Sequence, residues 1–102
     1  MLHVIATIEL ATGKQEAFLE AFRANVPNVL REDGCLEYGP AVDMNTDIGA
    51  QLPMRDNVVT VVEKWRDLPA LKAHLGAPHM TEYRVRVKDF VKRVSLQILQ
   101  PV

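Results

Sequence analysis

The sequence predicts a single-domain α+β sandwich, and three observations predict it. Stretches of two-residue alternation at both ends of the chain and in its middle read as strands. Between them lie segments whose apolar residues recur every three or four positions, which read as helices. These segments follow one another as β, α, β, β, α, β with the second helix split, and 102 residues suffice for one core but not two.

Leu2 to Leu10 alternates Val4, Ala6, Ile8 and Leu10 with His3, Ile5, Thr7 and Glu9, so one face of this first strand is drier. Ala11-Thr12-Gly13-Lys14 breaks it, with Thr12 placed to cap the next helix. Phe18, Phe22, Val26 and Val29, flanked by Leu19 and Leu30, form one helical stripe, and that helix should run from about Gly13 to Arg31. Pro27 falls inside it and crowds the carbonyl of Arg23, so a kink is expected there.

Asp33-Gly34 closes the helix. Cys35 to Met44 reads as a second strand with Leu36, Tyr38, Val42 and Met44 on one side, and Pro40 makes it an edge strand or a bulged one. Asn45 to Asn57 has no period and is long for a hairpin connection; a lid, a subunit contact and a plain excursion all fit that length.

Val58 to Trp65 is the third strand. Val58 and Val62 make one face apolar, Val59, Val61 and Trp65 the other, so helices on one side leave a face for something else to cover. In so short a chain a second copy is the simplest cover. Asp67 caps a short helix from Leu68 to Leu75, and Gly76-Ala77-Pro78 interrupts it. A further helix is expected from His79 to Lys92 with the stripe Met80, Tyr83, Val87, Phe90 and Val91, and Val94 to Leu99 closes the chain as a fourth strand. The ferredoxin-like βαββαβ connection is the leading topology.

Composition excludes several classes of function. A net charge of -1 gives no footprint for a phosphate backbone or an anionic membrane surface. No apolar run approaches the ~20 residues that span a bilayer, and the N-terminus has neither a basic region nor a cleavage site; a cytoplasmic protein is expected. Cys35 stands alone and forms no internal disulfide. Ser95 is the only serine and lacks flanking glycines, so there is no nucleophile elbow. Phosphate-binding glycine motifs, HExxH and CxxC are absent. His74 and His79 lie five apart across Pro78, unlike paired metal ligands on one helix face. The middle strand offers no stacked aromatics for RNA.

The first strand and its Gly-Lys turn, Phe22-Arg23-Ala24-Asn25-Val26-Pro27, Gly34-Cys35-Leu36-Glu37-Tyr38, Val62-Glu63-Lys64-Trp65 and Ala73-His74-Leu75-Gly76-Ala77-Pro78-His79-Met80 form an ordered set across most of the chain. Together they resemble the antibiotic biosynthesis monooxygenase family. The resemblance implies a ferredoxin-like protomer, dimerised through its sheets into a barrel-like core, with a pocket between sheet and helices. It also implies oxidation of an electron-rich aromatic such as a hydroquinone by molecular oxygen, without flavin, haem or metal in many members. Two departures stand out: the 45–57 loop is longer than is usual in the family, and Ala6 and Thr7 stand where the haem-degrading branch has an asparagine. Haem is therefore not expected.

Oxygen reacts with a quinol or phenol more readily once the hydroxyl has lost its proton. The protein must supply a base that works near neutral pH and a dry, aromatic-lined pocket. His74 or His79 fits the base. Trp65 would stack on the substrate, Tyr38 would hydrogen-bond an oxygen, Glu63 would orient a histidine, and Asn25 is a lesser polar contact.

Each residue also has a structural reading. His74 follows Leu71 on the inner stripe of its helix and could be a core histidine bonded to a carbonyl. His79 could pack at a helix start, Trp65 could be core, and Tyr38 could be a sheet residue with a wet hydroxyl. Glu63 among valines is the hardest to account for as core, because a buried carboxylate wants a partner; Arg66 or Lys64 could provide one. Two function classes therefore stand at the level of sequence. One is a monooxygenase on a small quinol or phenol; the other is a non-catalytic dimeric binder, or an isomerase of a small carbonyl compound, using the same pocket. A homodimer is expected in either case.

Overall fold

In the computed structural model, which describes residues 1–102, the chain runs β1 (Leu2–Leu10), α1 (Gln15–Leu30), β2 (Cys35–Ala41), β3 (Val58–Trp65), α2 (Leu68–Leu75), α3 (Pro78–Val87) and β4 (Val91–Leu99). The four strands form one antiparallel sheet in the order β2-β3-β1-β4, the ferredoxin-like arrangement, with β1 and β3 central. β2 lies at an edge, where the missing donor of Pro40 is tolerated.

Register decides which side chains meet the helices. Val4, Ala6 and Ile8 of β1 stand opposite Glu63, Val61 and Val59 of β3, and directly opposed residues point to the same side. This row is buried under the helices with Phe18, Phe22 and Val29 of α1, Leu71 of α2, and Met80, Tyr83 and Val87 of α3. The other side carries Ile5 opposite Val62 and Thr7 opposite Thr60, all half-buried or exposed, so no element of the chain covers the second face of β3. Val94, Leu96 and Ile98 oppose Ile8, Ala6 and Val4 and so also point toward the helix side, yet they stay exposed at this edge of the sheet.

Several boundaries differ from the sequence expectation, each for a local reason. α3 ends at Val87 rather than Lys92: the amide of Phe90 turns back to the carbonyl of Val87 (2.8 Å), and the carbonyl of Phe90 accepts from Ala11 (2.8 Å). That second bond draws the chain in beside β1, so β4 starts at Val91, opposite Leu10. Thr12 does not cap α1. Gly13 takes a left-handed φ of 78° in a turn that brings the amide of Lys14 to the carbonyl of Ala11, and the cap position falls to Lys14 with no side-chain bond. α1 continues through Pro27 to Leu30.

β2 ends at Ala41, short of Met44. A register shift between Cys35 and Glu37 leaves Leu36 56% exposed while Tyr38 points inward opposite Glu63, so these two do not share a face. The connection after β2 is internally closed: Asp43 accepts from Arg55 Nε (2.9 Å) and Nη2 (2.8 Å), and Gln51 Nε2 donates to the carbonyl of Met44 (2.6 Å). No helix is long and apolar enough to cross a membrane.

Candidate active site

Between the helix side of the sheet and helices α1 and α3 lies a cavity of about 390 Å³. Ala6, Ile8 and Val61 form its floor, Phe22, Met80, Tyr83 and Val87 its roof, and Val94 and Leu96 the wall toward β4. Twelve of its 16 lining residues are hydrophobic, so an aromatic ring entering it leaves water behind. Glu63, His74 and the hydroxyl of Tyr38 cluster on the β2–β3 side, and exposed Arg84 and Lys88 are the other two charged residues of the lining.

His74 reaches the cavity because α2 is anchored at its start. The Asp67 side chain accepts from the amide of Ala70 (2.9 Å), and Leu71 and His74 then point inward from one face of the helix. His74 is 2% exposed, tilted over Trp65 (ring centroids 4.6 Å apart) and edge-on to Tyr38 (5.4 Å). Its Nδ1 lies 2.8 Å from Oε2 of Glu32. An ionised carboxylate only accepts, so Nδ1 carries the hydrogen and Nε2 is left as a lone-pair nitrogen. Burial pushes the His74 pKa down; the bond to Glu32 works in the other direction without reversing the shift. The neutral imidazole, the form that can act as a base, is thereby favoured.

Glu63 does not orient a histidine, and neither Lys64 nor Arg66 is its partner. Lys64 pairs with Glu37, Arg66 with Asp33 and Asp67, and the Glu63 Oε1 accepts the indole N–H of Trp65 at 2.8 Å. Loss of water raises the Glu63 pKa to about 6; the indole bond opposes the rise and the Glu32 charge adds to it. Tyr38 stacks on Phe22 with centroids 5.3 Å apart, and burial raises its hydroxyl pKa, keeping it a neutral donor.

The remaining sequence candidates stand off the cavity wall. Trp65 has no exposed surface and lies behind His74 and Glu63, holding the carboxylate rather than walling the cavity. Asn25 is buried between helices, donating Nδ2 to Sδ of Met80 (3.4 Å) and accepting from Asn28 (3.1 Å), which fastens α1 to α3. His79 Nε2 lies 3.2 Å from the Glu32 oxygen that His74 uses, but neither of its ring nitrogens makes a hydrogen bond. No residue of the 45–57 loop lines the cavity, so the loop is not a lid over it within one chain. No group of three or more His, Cys, Asp or Glu side chains is arranged to hold a metal ion.

Glu32 was not singled out from the sequence, although a signal exists. It follows the C-terminal end of α1, where a negative charge is disfavoured by the helix dipole and so calls for a partner elsewhere.

The sequence profile described as antibiotic biosynthesis monooxygenase matches residues 1–86. The chain belongs to the antibiotic biosynthesis monooxygenase family. A curated relative named probable quinol monooxygenase YgiN, from Escherichia coli K12, is 40% identical over 99% of this chain and 98% of its own length. Among solved structures, PA3566 from Pseudomonas aeruginosa superposes with a TM-score of 0.80 at 28% identity, covering 99% of this chain and 93% of that one. Rv0793 from Mycobacterium tuberculosis gives 0.77 at 25% identity, covering 99% and 94%. Family and fold thus agree with the ferredoxin-like topology of the antibiotic biosynthesis monooxygenases, and the chain is assigned to the monooxygenases.

Proposed function

We propose that this monooxygenase oxidises a small electron-rich aromatic, a quinol or phenol, with molecular oxygen, and that His74 is the base. The observation that carries this is the placement of the His74 ring: Nδ1 is committed to Glu32 at 2.8 Å, and the side chain lines the apolar cavity, so Nε2 is the nitrogen left to take a substrate proton. In the first step the substrate O–H bond breaks, its electron pair stays on oxygen, and the proton bonds to Nε2. The resulting anion yields an electron to oxygen far more readily than the phenol does, and the apolar lining offers water few partners around it. For a quinol the overall change, quinol plus O2 to hydroxyquinone plus water, balances with no outside reductant, so neither flavin nor metal is required by the stoichiometry.

Tyr38, kept protonated by burial, would donate a hydrogen bond to a substrate oxygen, with Phe22 stacked behind it. Glu63, with a pKa of about 6, is the second group able to exchange a proton there. The name of the Escherichia coli relative supports a quinol as the substrate class. The uncovered face around Ile5 and Val62 supports a homodimer joined through the sheets.

An oxygen electrode tests the reaction. A panel of quinols and phenols should drive oxygen uptake above the spontaneous rate, and His74→Ala should cut that rate by roughly 10²–10⁴-fold, the usual worth of a general base. Uptake no faster than in buffer across the panel sinks the proposal; a ligand that co-purifies and survives air unchanged would then make the protein a binder. Light scattering should give about twice the 11.5 kDa chain mass, and a monomer at micromolar concentration would overturn the dimer.

A further inference from the structure

We propose that Glu32 is the positioning residue of the cavity base, and that His79 influences the reaction through Glu32 rather than by touching the substrate. The proposal rests on the assignment of His74 as base and extends it to two groups outside the cavity.

Three observations carry it. A single oxygen, Glu32 Oε2, is 2.8 Å from His74 Nδ1 and 3.2 Å from His79 Nε2, so one carboxylate lies within reach of two imidazoles from two different helices while hydrogen-bonding only the first. Those imidazoles are placed asymmetrically: His74 lines the cavity and is 2% exposed, whereas His79 is absent from the cavity wall and its side chain is 22% exposed. Glu32 itself lines a different hollow, a surface groove of about 310 Å³ bordered by Asp33, Arg66 and Ala73. The Glu32–His74 bond therefore joins the apolar cavity to a second, separate hollow on the surface of the molecule.

The chemistry follows from that geometry. When Nε2 takes the substrate proton, His74 becomes an imidazolium in a site that disfavours charge, and Nδ1–H then faces an anion at hydrogen-bond distance. The proton stays on the ring, no further bond breaks, and the positive charge is matched. In the resting state the same bond fixes the tautomer with Nε2 as acceptor, which an unsupported imidazole would adopt only part of the time. His79, 3.2 Å from the same oxygen and lacking any hydrogen bond, competes for it and weakens its hold on His74. The other groups facing His74 are Arg84 from α3, Trp65 and Glu63 from β3, and Tyr38 from β2.

Two substitutions with opposite expected signs test this. Glu32→Gln removes the group that holds the His74 pKa up, so the ascending limb of the kcat profile should move to lower pH, with kcat falling by roughly 10²-fold or more and KM little changed. Glu32→Asp should recover part of kcat. His79→Gln removes the neighbouring imidazole whose electrostatic influence lowers the His74 pKa, so the limb should move to higher pH. A role confined to packing would lower the melting temperature and move neither limb. Nitrogen NMR of the His74 ring gives a readout independent of turnover: the wild type should show Nδ1–H, and Glu32→Gln a mixture of tautomers. If both variants leave limb and tautomer where they were, the positioning role is wrong; if the tautomer shifts but no quinol is oxidised by the wild type, the positioning role stands and the monooxygenase reaction on quinols falls. Should Glu32→Gln fail to fold, Glu32→Asp and His79→Gln decide the matter by the same limb and tautomer readouts.

Discussion

Glu63 and Trp65 lie two residues apart on β3, on the same face of the strand, and the indole N–H of the second is hydrogen-bonded to the carboxylate of the first at 2.8 Å. A period of two brings them together without any help from the rest of the fold. The consequence is a buried carboxylate with one charge-assisted bond and a pKa of about 6. Trp65→Phe keeps an aromatic ring and removes the donor. The Glu63 pKa should then rise above its wild-type value, read by carbon NMR of the carboxyl group, and stability should drop by on the order of 2 kcal/mol as the carboxylate oxygen loses its partner. An unchanged titration would mean that the indole bond does not support the charge.

The pH dependence of stability has a definite sign at this residue. The folded pKa of Glu63 lies above its ordinary value of 4.5, so the folded state holds the proton more tightly than the unfolded one. Its cost to stability is fully present above about pH 6 and fades as pH falls from there toward 4.5. Glu63→Gln keeps an oxygen for the indole and removes the charge. It should stabilise the protein by at most about 2 kcal/mol at pH 7.5 and by almost nothing at pH 4.5, measured by urea unfolding. A gain of equal size at both pH values would contradict the assignment.

His74 has the opposite sign. Its folded pKa is lowered, so the unfolded chain binds the proton more readily and the stability it contributes is present above about pH 6.5 and lost as pH falls below it. Activity that depends on the neutral ring should therefore be flat above pH 7 and decline below, with the midpoint of the kcat/KM limb at or under 6.5. A midpoint well above that value would remove His74 as the base.

The cap on α2 holds His74 in place. Asp67→Ala deletes the acceptor for the amide of Ala70 and should cost about 1 kcal/mol, or roughly 4–8 °C in Tm for a chain of this size. Asp67→Asn or Asp67→Ser should restore most of it. No change in Tm on Asp67→Ala would show that the helix start is held by other means.

The turn that delivers Glu32 depends on Gly34. Its φ is 85°, and a Cβ there would sit 2.6 Å from the Cβ of Ala70. Gly13 has a similar φ of 78° with nothing within 4 Å. Gly13→Ala should thus cost only the backbone strain, about 1–2 kcal/mol, while Gly34→Ala should cost clearly more and shift the His74 resonances. Equal melting temperatures for the two variants would argue against the close approach of the turn to α2.

Much of the fold was legible because its signals are local. The alternation of β1, the bounds of β3 and α2, the Asp67 cap and the edge position of β2 at Pro40 each follow from neighbouring residues. Where a distant bond overrides the local pattern, expectation and structure differ: the apolar spacing predicts a helix from His79 to Lys92, while the bond from Ala11 to the Phe90 carbonyl pulls the end of that stretch toward the sheet. Simple alternation groups Leu36 with Tyr38, and the register shift between Cys35 and Glu37 leaves the first exposed and the second buried.

The site divides in the same way. His74, Glu63 and Tyr38 were named from the sequence and meet on one cavity wall, because inward-facing positions on strands and helices can be read from periodicity. The sequence by itself determined the element order, the buried row and the residues able to do chemistry. Only the tertiary structure decided which carboxylate meets which ring: Glu32 and His74 are 42 positions apart, and such a pair forms when the turn after α1 is folded against α2, a contact no local pattern encodes.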